Sequence, residues 1–234
     1  MTISNRRKTI NNKYYIDKMP LAKKESVKYL GVIIDNKLNF EQHIKEKCKN
    51  ATKILNLIRR NLYFAPRSVK KKAYISCVLP IIEYASSCWT PNSEKMKKCL
   101  EMVHHNAAKF ITNTYPKRNN YQSFSITKLL NEIDFETLEE RRNQARLTMA
   151  FKIINGYVIL DSSTLPKFKN HGPLRQCNSA YVGTKNQLEE PVPRLKVTGN
   201  TFFYSVPLLW NNTVSPSQAE APSVDSFKRY FKRN

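Results

Sequence analysis

The chain has 234 residues, 41% of them hydrophobic and 11% aromatic; that is long and apolar enough to bury a sizeable core and excludes wholesale disorder. No apolar run reaches the ~18 residues that span a bilayer, and the opening "MTISNRRKTINNKYY" has no apolar signal core, so an intracellular chain, cytosolic or nuclear, is expected. The formal net charge is +22, and it is uneven: residues 1–118 hold 25 Lys and Arg against 8 Asp and Glu, residues 119–234 hold 15 against 10. An excess concentrated in this way suits a polyanion, above all nucleic acid. A membrane surface fits poorly, since no helix pairs a basic face with a bulky aromatic one.

The first 38 residues read as β-structure. "RRKTINNKYYIDKMPLA" carries a polar turn at Asn11-Asn12-Lys13 between β-prone runs, which predicts a hairpin. "VKYLGVII" reads as one short buried strand, and Asp35-Asn36-Lys37 as a turn. Asn39, with Gln42 three residues on, predicts a helix N-cap. Ile44, Cys48, Ala51, Leu55, Ile58 and Leu62 then recur at steps of four and three, the spacing of a helix with one face inward. Lys45, Lys49, Lys53 and Arg60 fall on a neighbouring face; a plain solvated surface is the competing reading of these cations.

A second helix is expected from about Arg67 toward Tyr84, broken or kinked at Pro80 and carrying Lys70, Lys71 and Lys72 near its start. Asn92 or Ser93 would cap a third helix, with Met96, Leu100, Val103, Ala107 and Phe110 as its apolar stripe. A polar linker, "PKRNNYQS", suggests a soft boundary near residue 118. A short helix follows from Ser125, then a longer one with Asp134 as N-cap and Gly156 just past its end. Seven of the twelve prolines lie between Gly156 and Pro222, which predicts mostly irregular chain held by apolar knots such as "TFFYSVPLLW". "SVDSFKRYFKRN" reads as a closing amphipathic helix capped by Ser223.

Signals for chemistry are sparse. Residues 1–118 contain no Asp-Asp pair and no D-x-D with which to converge carboxylates on two metal ions. The five glycines form no phosphate loop, and G-x-S-x-G and H-E-x-x-H are absent. His104-His105 falls mid-helix, so one ring is expected to pack and the other to face solvent. The five cysteines include no C-x-x-C pair and read as free thiols; the spacing of Cys99, His104 and His105 matches no zinc finger or knuckle.

In order along the chain, several blocks resemble one family. "VKYLGVIIDNKLNFEQHI" is similar to the K-Y-L-G-V-x-x-D-x-x-L-x-(W/F)-x-x-H-I block of non-LTR (LINE-type, jockey-like) retrotransposon reverse transcriptases, which follows the palm and leads into the thumb. "ILNLIRRNLYFAPRSVKKKAYISCVLPIIEYASSCWTP" resembles the thumb helices, "LEMVHHNAAKFITN" the L-E-x-V-Q-x-x-A-A-R-(F/W)-I-T-N helix, and "LEERRNQARLTMAFKIINGYV" and "TFFYSVPLLWNN…APSVDSFK" the C-terminal extension. The Y-x-D-D loop and upstream Asp of that family's polymerase site lie N-terminal to these blocks and are not in this sequence.

The resemblance implies an α+β, mainly helical fold. A residual palm or primer-grip-like β segment (1–38) would precede a thumb-like three-helix bundle (39–118), a helical hairpin (119–156) and an irregular Pro-rich extension ending in a short helix (157–234). Tyr29, Leu30, Gly31 and Val32 would form the last palm strand, with Gly31 allowing close backbone approach. The implied role is to hold RNA or an RNA–DNA hybrid by its phosphates through Lys45, Lys49, Lys53, Arg60, Lys70, Lys71 and Lys72. No catalytic residue, no metal or cofactor site and no small-molecule ligand is expected in this chain, since the Mg2+ of the family belongs to the palm; in isolation it would be inactive as a polymerase. A stand-alone nucleic-acid-binding or interaction module descended from such an element is the alternative.

Overall fold

In the computed structural model of the protein, the structure describes residues 13–91, 93–115, 125–161, 166–169, 187–192 and 201–231, together with Met1, Ile3 and Gly199. The fold is α+β and mainly helical, with two small hairpins ahead of the helices. The predicted turn at Asn11-Asn12 lies outside the described residues. The chain divides into two compact units, one formed by residues 1–85 and 91–136, the other by 86–90 and 137–234.

In the first unit, β1 (Tyr15–Ile16) pairs antiparallel with β2 (Met19–Pro20), and Asp17 and Lys18 make the turn at positive φ. The run "VKYLGVII" is not one strand. It folds as a second hairpin of β3 (Ser26–Tyr29) and β4 (Val32–Asp35), turning at Leu30 (φ 43°) and Gly31 (φ 79°). Two successive positive φ values are the signature of the two-residue turns that match strand twist. Gly31 also serves close approach: a Cβ there would sit 3.3 Å from the Tyr84 ring, and the Tyr84 hydroxyl donates to the Leu30 carbonyl at 2.9 Å.

The Asp35 carboxylate joins β4 to the first helix, accepting the backbone N–H of Lys37 (2.8 Å), Asn39 (3.1 Å) and Phe40 (2.9 Å). α1 (Glu41–Asn61) therefore starts one residue later than the Asn39 cap predicts. Phe40 is the N-cap, in the left-handed region, while the Asn39 side chain accepts from the Glu41 N–H at 2.9 Å. Ile44, Cys48, Ala51, Leu55 and Ile58 are buried as their spacing requires, and Leu62 is half-buried.

The next helical run splits at Val78 into α2 (Arg67–Cys77) and α3 (Leu79–Glu83), and Pro80 falls in the first turn of α3, where its missing N–H costs nothing. α4 (Glu94–Thr112) is capped by Ser93 and buries Met96, Leu100, Val103, Ala107 and Phe110 against α1 and α2. α5 (Ile126–Glu132), capped by Ser125, packs on α4. Residue 118 is consequently not where the chain divides; the division follows Glu136.

The second unit opens with α6 (Leu138–Ile154). Its N-cap is Thr137 in a capping box with Glu140, not Asp134, which lies at φ 54° ahead of the helix. Gly156 (φ 73°) ends α6 in a Schellman arrangement, with the Tyr157 N–H donating to the Lys152 carbonyl. The apolar knot "TFFYSVPLLW" does enter the core, but as a helix and not as irregular chain: Thr201 is the N-cap of α7 (Phe202–Thr213), with Pro207 inside the helix. Burial of Val206 and Trp210 outweighs the hydrogen bond that proline removes. α8 (Pro216–Ala219) and α9 (Val224–Arg229) follow, capped by Ser215 and Ser223. The core joins Leu147, Ala150 and Phe151 of α6 to Leu188, Val206, Trp210, Ala221 and Phe227. Asn211 holds Leu188 in place by accepting its N–H (2.8 Å) and donating to its carbonyl (2.9 Å).

Candidate nucleic-acid interface

The α1 helix positions most of the predicted cations. With Ile44, Cys48, Ala51 and Leu55 committed to the core, Lys45, Lys49, Lys53 and Arg60 emerge on an exposed stripe. Lys45 contacts Glu41 one turn back at 3.4 Å; Lys49, Lys53 and Arg60 make no salt bridge among the described residues. Four like charges on one face repel one another and gain from an anion that neutralises them.

The stripe runs beyond what the sequence reading named. Asn56 and Tyr63 continue it at the same steps of three and four, and with Lys53, Arg59 and Arg60 they line an open cleft of about 820 Å³. The Arg59 guanidinium lies 5.7 Å from the centre of the Tyr115 ring and donates to its hydroxyl at 3.4 Å. Carrying the Lys45-Lys49-Lys53 period on through Arg60 is the signal for Asn56, one turn past Lys53, and for Tyr63, one turn past Arg60.

The Lys70-Lys71-Lys72 run separates into three fates, and only Lys72 is exposed as a phosphate contact requires. Lys70 is 1% exposed; its ammonium donates to Asn113 Oδ1 at 2.7 Å and lies 4.9 Å from the Phe110 ring centre. Asn113 is the C-cap of α4, so this cation sits where the helix dipole is negative. Lys71 is half-buried and donates to the Ile133 carbonyl at 2.6 Å, at the C-cap of α5. Arg67 joins it there, donating to Glu132 Oε1 (2.8 Å) and to the Glu132 carbonyl (3.1 Å). The inward face of α2 thus ties down the ends of two other helices. Lys70 is withdrawn from the phosphate-contact set, and Lys71 is engaged within the fold.

Among the described residues, His104 and His43 are engaged within the fold. His104 is buried, its Nε2 3.0 Å from the Glu136 carbonyl and its Nδ1 2.7 Å from the Tyr74 hydroxyl, with the Phe135 ring stacked at 5.3 Å. A carbonyl only accepts, so Nε2 carries the proton and Nδ1 accepts from Tyr74. His105 is half-buried. His43, in the first turn of α1, accepts the Ile33 N–H at Nδ1 (3.2 Å). Burial first, then the neighbouring Lys47, pulls its pKa from 6.5 to about 4.

The neutral imidazole is therefore the form the fold accepts. Between pH 6.5 and about 4 the unfolded chain binds a proton that the folded chain refuses, so stability falls as pH falls through that window. The loss at the acid end is roughly 3 kcal/mol. His43→Asn, which keeps an acceptor near the Nδ1 position, is expected to flatten this part of the curve when urea midpoints are compared at pH 7 and pH 4.5. Equal pH dependence in the two proteins would assign the acid sensitivity elsewhere.

No known family profile matches this chain, and no solved structure matches it. An uncharacterized protein of Caenorhabditis elegans is 26% identical over 162 residues, which span 62% of this chain and 76% of the relative. Among the described residues, no helix is long and apolar enough to cross a membrane.

Proposed function

We propose that this intracellular chain holds RNA or an RNA–DNA hybrid by its phosphate backbone, in the manner of the thumb of a non-LTR retrotransposon reverse transcriptase. The observation that carries the reading is the exposed α1 stripe of Lys45, Lys49, Lys53 and Arg60, three of which face no counter-charge among the described residues. The ordered sequence blocks that resemble the palm-to-thumb region of those enzymes support it independently. Contacts of this kind position a duplex without reading its sequence. Each also releases counterions from the nucleic acid, so affinity falls steeply with salt.

The test is a salt titration on a primed RNA duplex. Lys45, Lys49 and Lys53 changed together to Gln should lower the slope of log K against log salt by roughly 2–3, at about 0.7–0.9 per phosphate contact. Gln is a good helix former, so α1 should persist. An unchanged slope would return this face to plain solvated surface.

A further inference from the structure

We propose that the tip of the α1–α2 hairpin is a stacking platform for unpaired bases, so that a nucleic acid held along α1 presents a single-stranded stretch at this tip. This rests on the phosphate-binding reading of α1 and narrows its substrate class. Tyr63 and Phe64 occupy a tight turn between the two helices, closed by the Ala65 N–H donating to the Leu62 carbonyl. Phe64 is 96% exposed and Tyr63 61%. Their rings meet edge to face, 5.0 Å between centres and 89° between planes. A phenyl ring so exposed adds almost nothing to the core, yet it is held on a short turn braced by a helix on each side.

Its surroundings indicate the occupant. Tyr63 lines the same cleft as Lys53, Asn56, Arg59 and Arg60, so the aromatic pair continues the cationic stripe. Other described apolar side chains are as exposed, such as Ile159 and Val192, but they lack this combination of flat rings and cations. A row of cations leading to projecting rings is what a single strand requires: phosphates track the charge, and successive bases lay their faces on the rings. Duplex keeps its bases stacked on one another and offers such rings only its ends.

The experiment compares a fluorescent oligouridine of about 12 nucleotides, within the usual span of single-strand sites, with an abasic strand of equal length and charge. Wild-type protein should bind the base-bearing strand roughly 10–100-fold more tightly, the range that one stacked base provides. Tyr63→Leu with Phe64→Leu keeps apolar bulk but removes both ring faces. It should bind the two strands equally and retain the wild-type salt slope. Phe64→Trp alone should keep the preference, and thermal melting checks that each variant is folded.

Equal wild-type affinity for the two strands, or a preference that survives in the double Leu variant, would overturn the platform and leave the phosphate-binding reading standing. Binding that ignores salt would defeat both. Rings that serve a protein partner or a second copy of this chain would also be revealed by equal affinity, with sedimentation that changes in the double variant.

Discussion

Lys70→Glu is expected to destabilise the first unit by roughly 4 kcal/mol or more, whereas Lys72→Glu, two residues further on, should stay within about 0.5 kcal/mol. The two lysines look equivalent in "VKKKAY", and the fold makes them opposites. Lys70 is enclosed, its ammonium on Asn113 and 4.9 Å and 6.0 Å from the ring centres of Phe110 and Tyr63. A carboxylate there would be buried without a cationic partner at the negative end of α4, which costs solvation and repels the helix dipole. Lys72 is exposed. Urea midpoints of the two variants decide the matter, and a small loss for Lys70→Glu would mean that its site opens readily to water. Lys70→Met, which keeps the stem, should leave the salt dependence of nucleic-acid binding untouched.

Phe227→Ala is expected to cost the second unit roughly 3–5 kcal/mol, the usual range for deleting a buried aromatic ring. Phe227 is 0% exposed and stands at the centre of a ring cluster, 4.4 Å from Phe151, 5.8 Å from Trp210 and 5.2 Å from Phe231. Both tryptophans of the chain, Trp89 and Trp210, are buried in this unit. Intrinsic tryptophan fluorescence therefore reports its unfolding directly. A midpoint within about 0.5 kcal/mol of wild type would show that α9 is an appendage and not part of the core.

Much of the first unit is legible in the sequence because its helices are strongly periodic. The inward residues of α1 and α4 follow from spacing alone, Ser93 and Ser125 mark helix starts through local chemistry, and in the second unit Gly156 and Ser223 do the same for a helix end and a helix start. The misreadings have identifiable causes. The turn at Leu30-Gly31 places a leucine at positive φ, where Asn or Asp is the usual signal, so a hairpin passes for one apolar strand. Asp134 hides the true cap, Thr137, which lies three residues later and forms the capping box with Glu140. α7 contains Pro207, and its helix is favoured by burial of Trp210, which no local rule registers. The basic stripe was only partly legible: charge marks Lys45, Lys49, Lys53 and Arg60, but charge alone also marked Lys70. Counting back four residues from the buried Tyr74 lands on Lys70, and that period was the available clue to its burial.

The Asp35 carboxylate has a consequence for the order in which the chain folds. Its bonds to Lys37, Asn39 and Phe40, and that of Ile33 to His43, join partners at most ten positions apart. The β3–β4 ladder is equally local. Closing such short loops costs little chain entropy, so β3, β4 and the start of α1 can assemble on the microsecond scale of hairpins and helices. The packing of α1 against α4 must instead close a far longer loop, such as the 56 positions that separate Arg59 at the end of α1 from Tyr115 just past the end of α4. The segment from Ser26 through α1 is thus a local nucleus, and the speed of folding is set by the slower return of α4 to it.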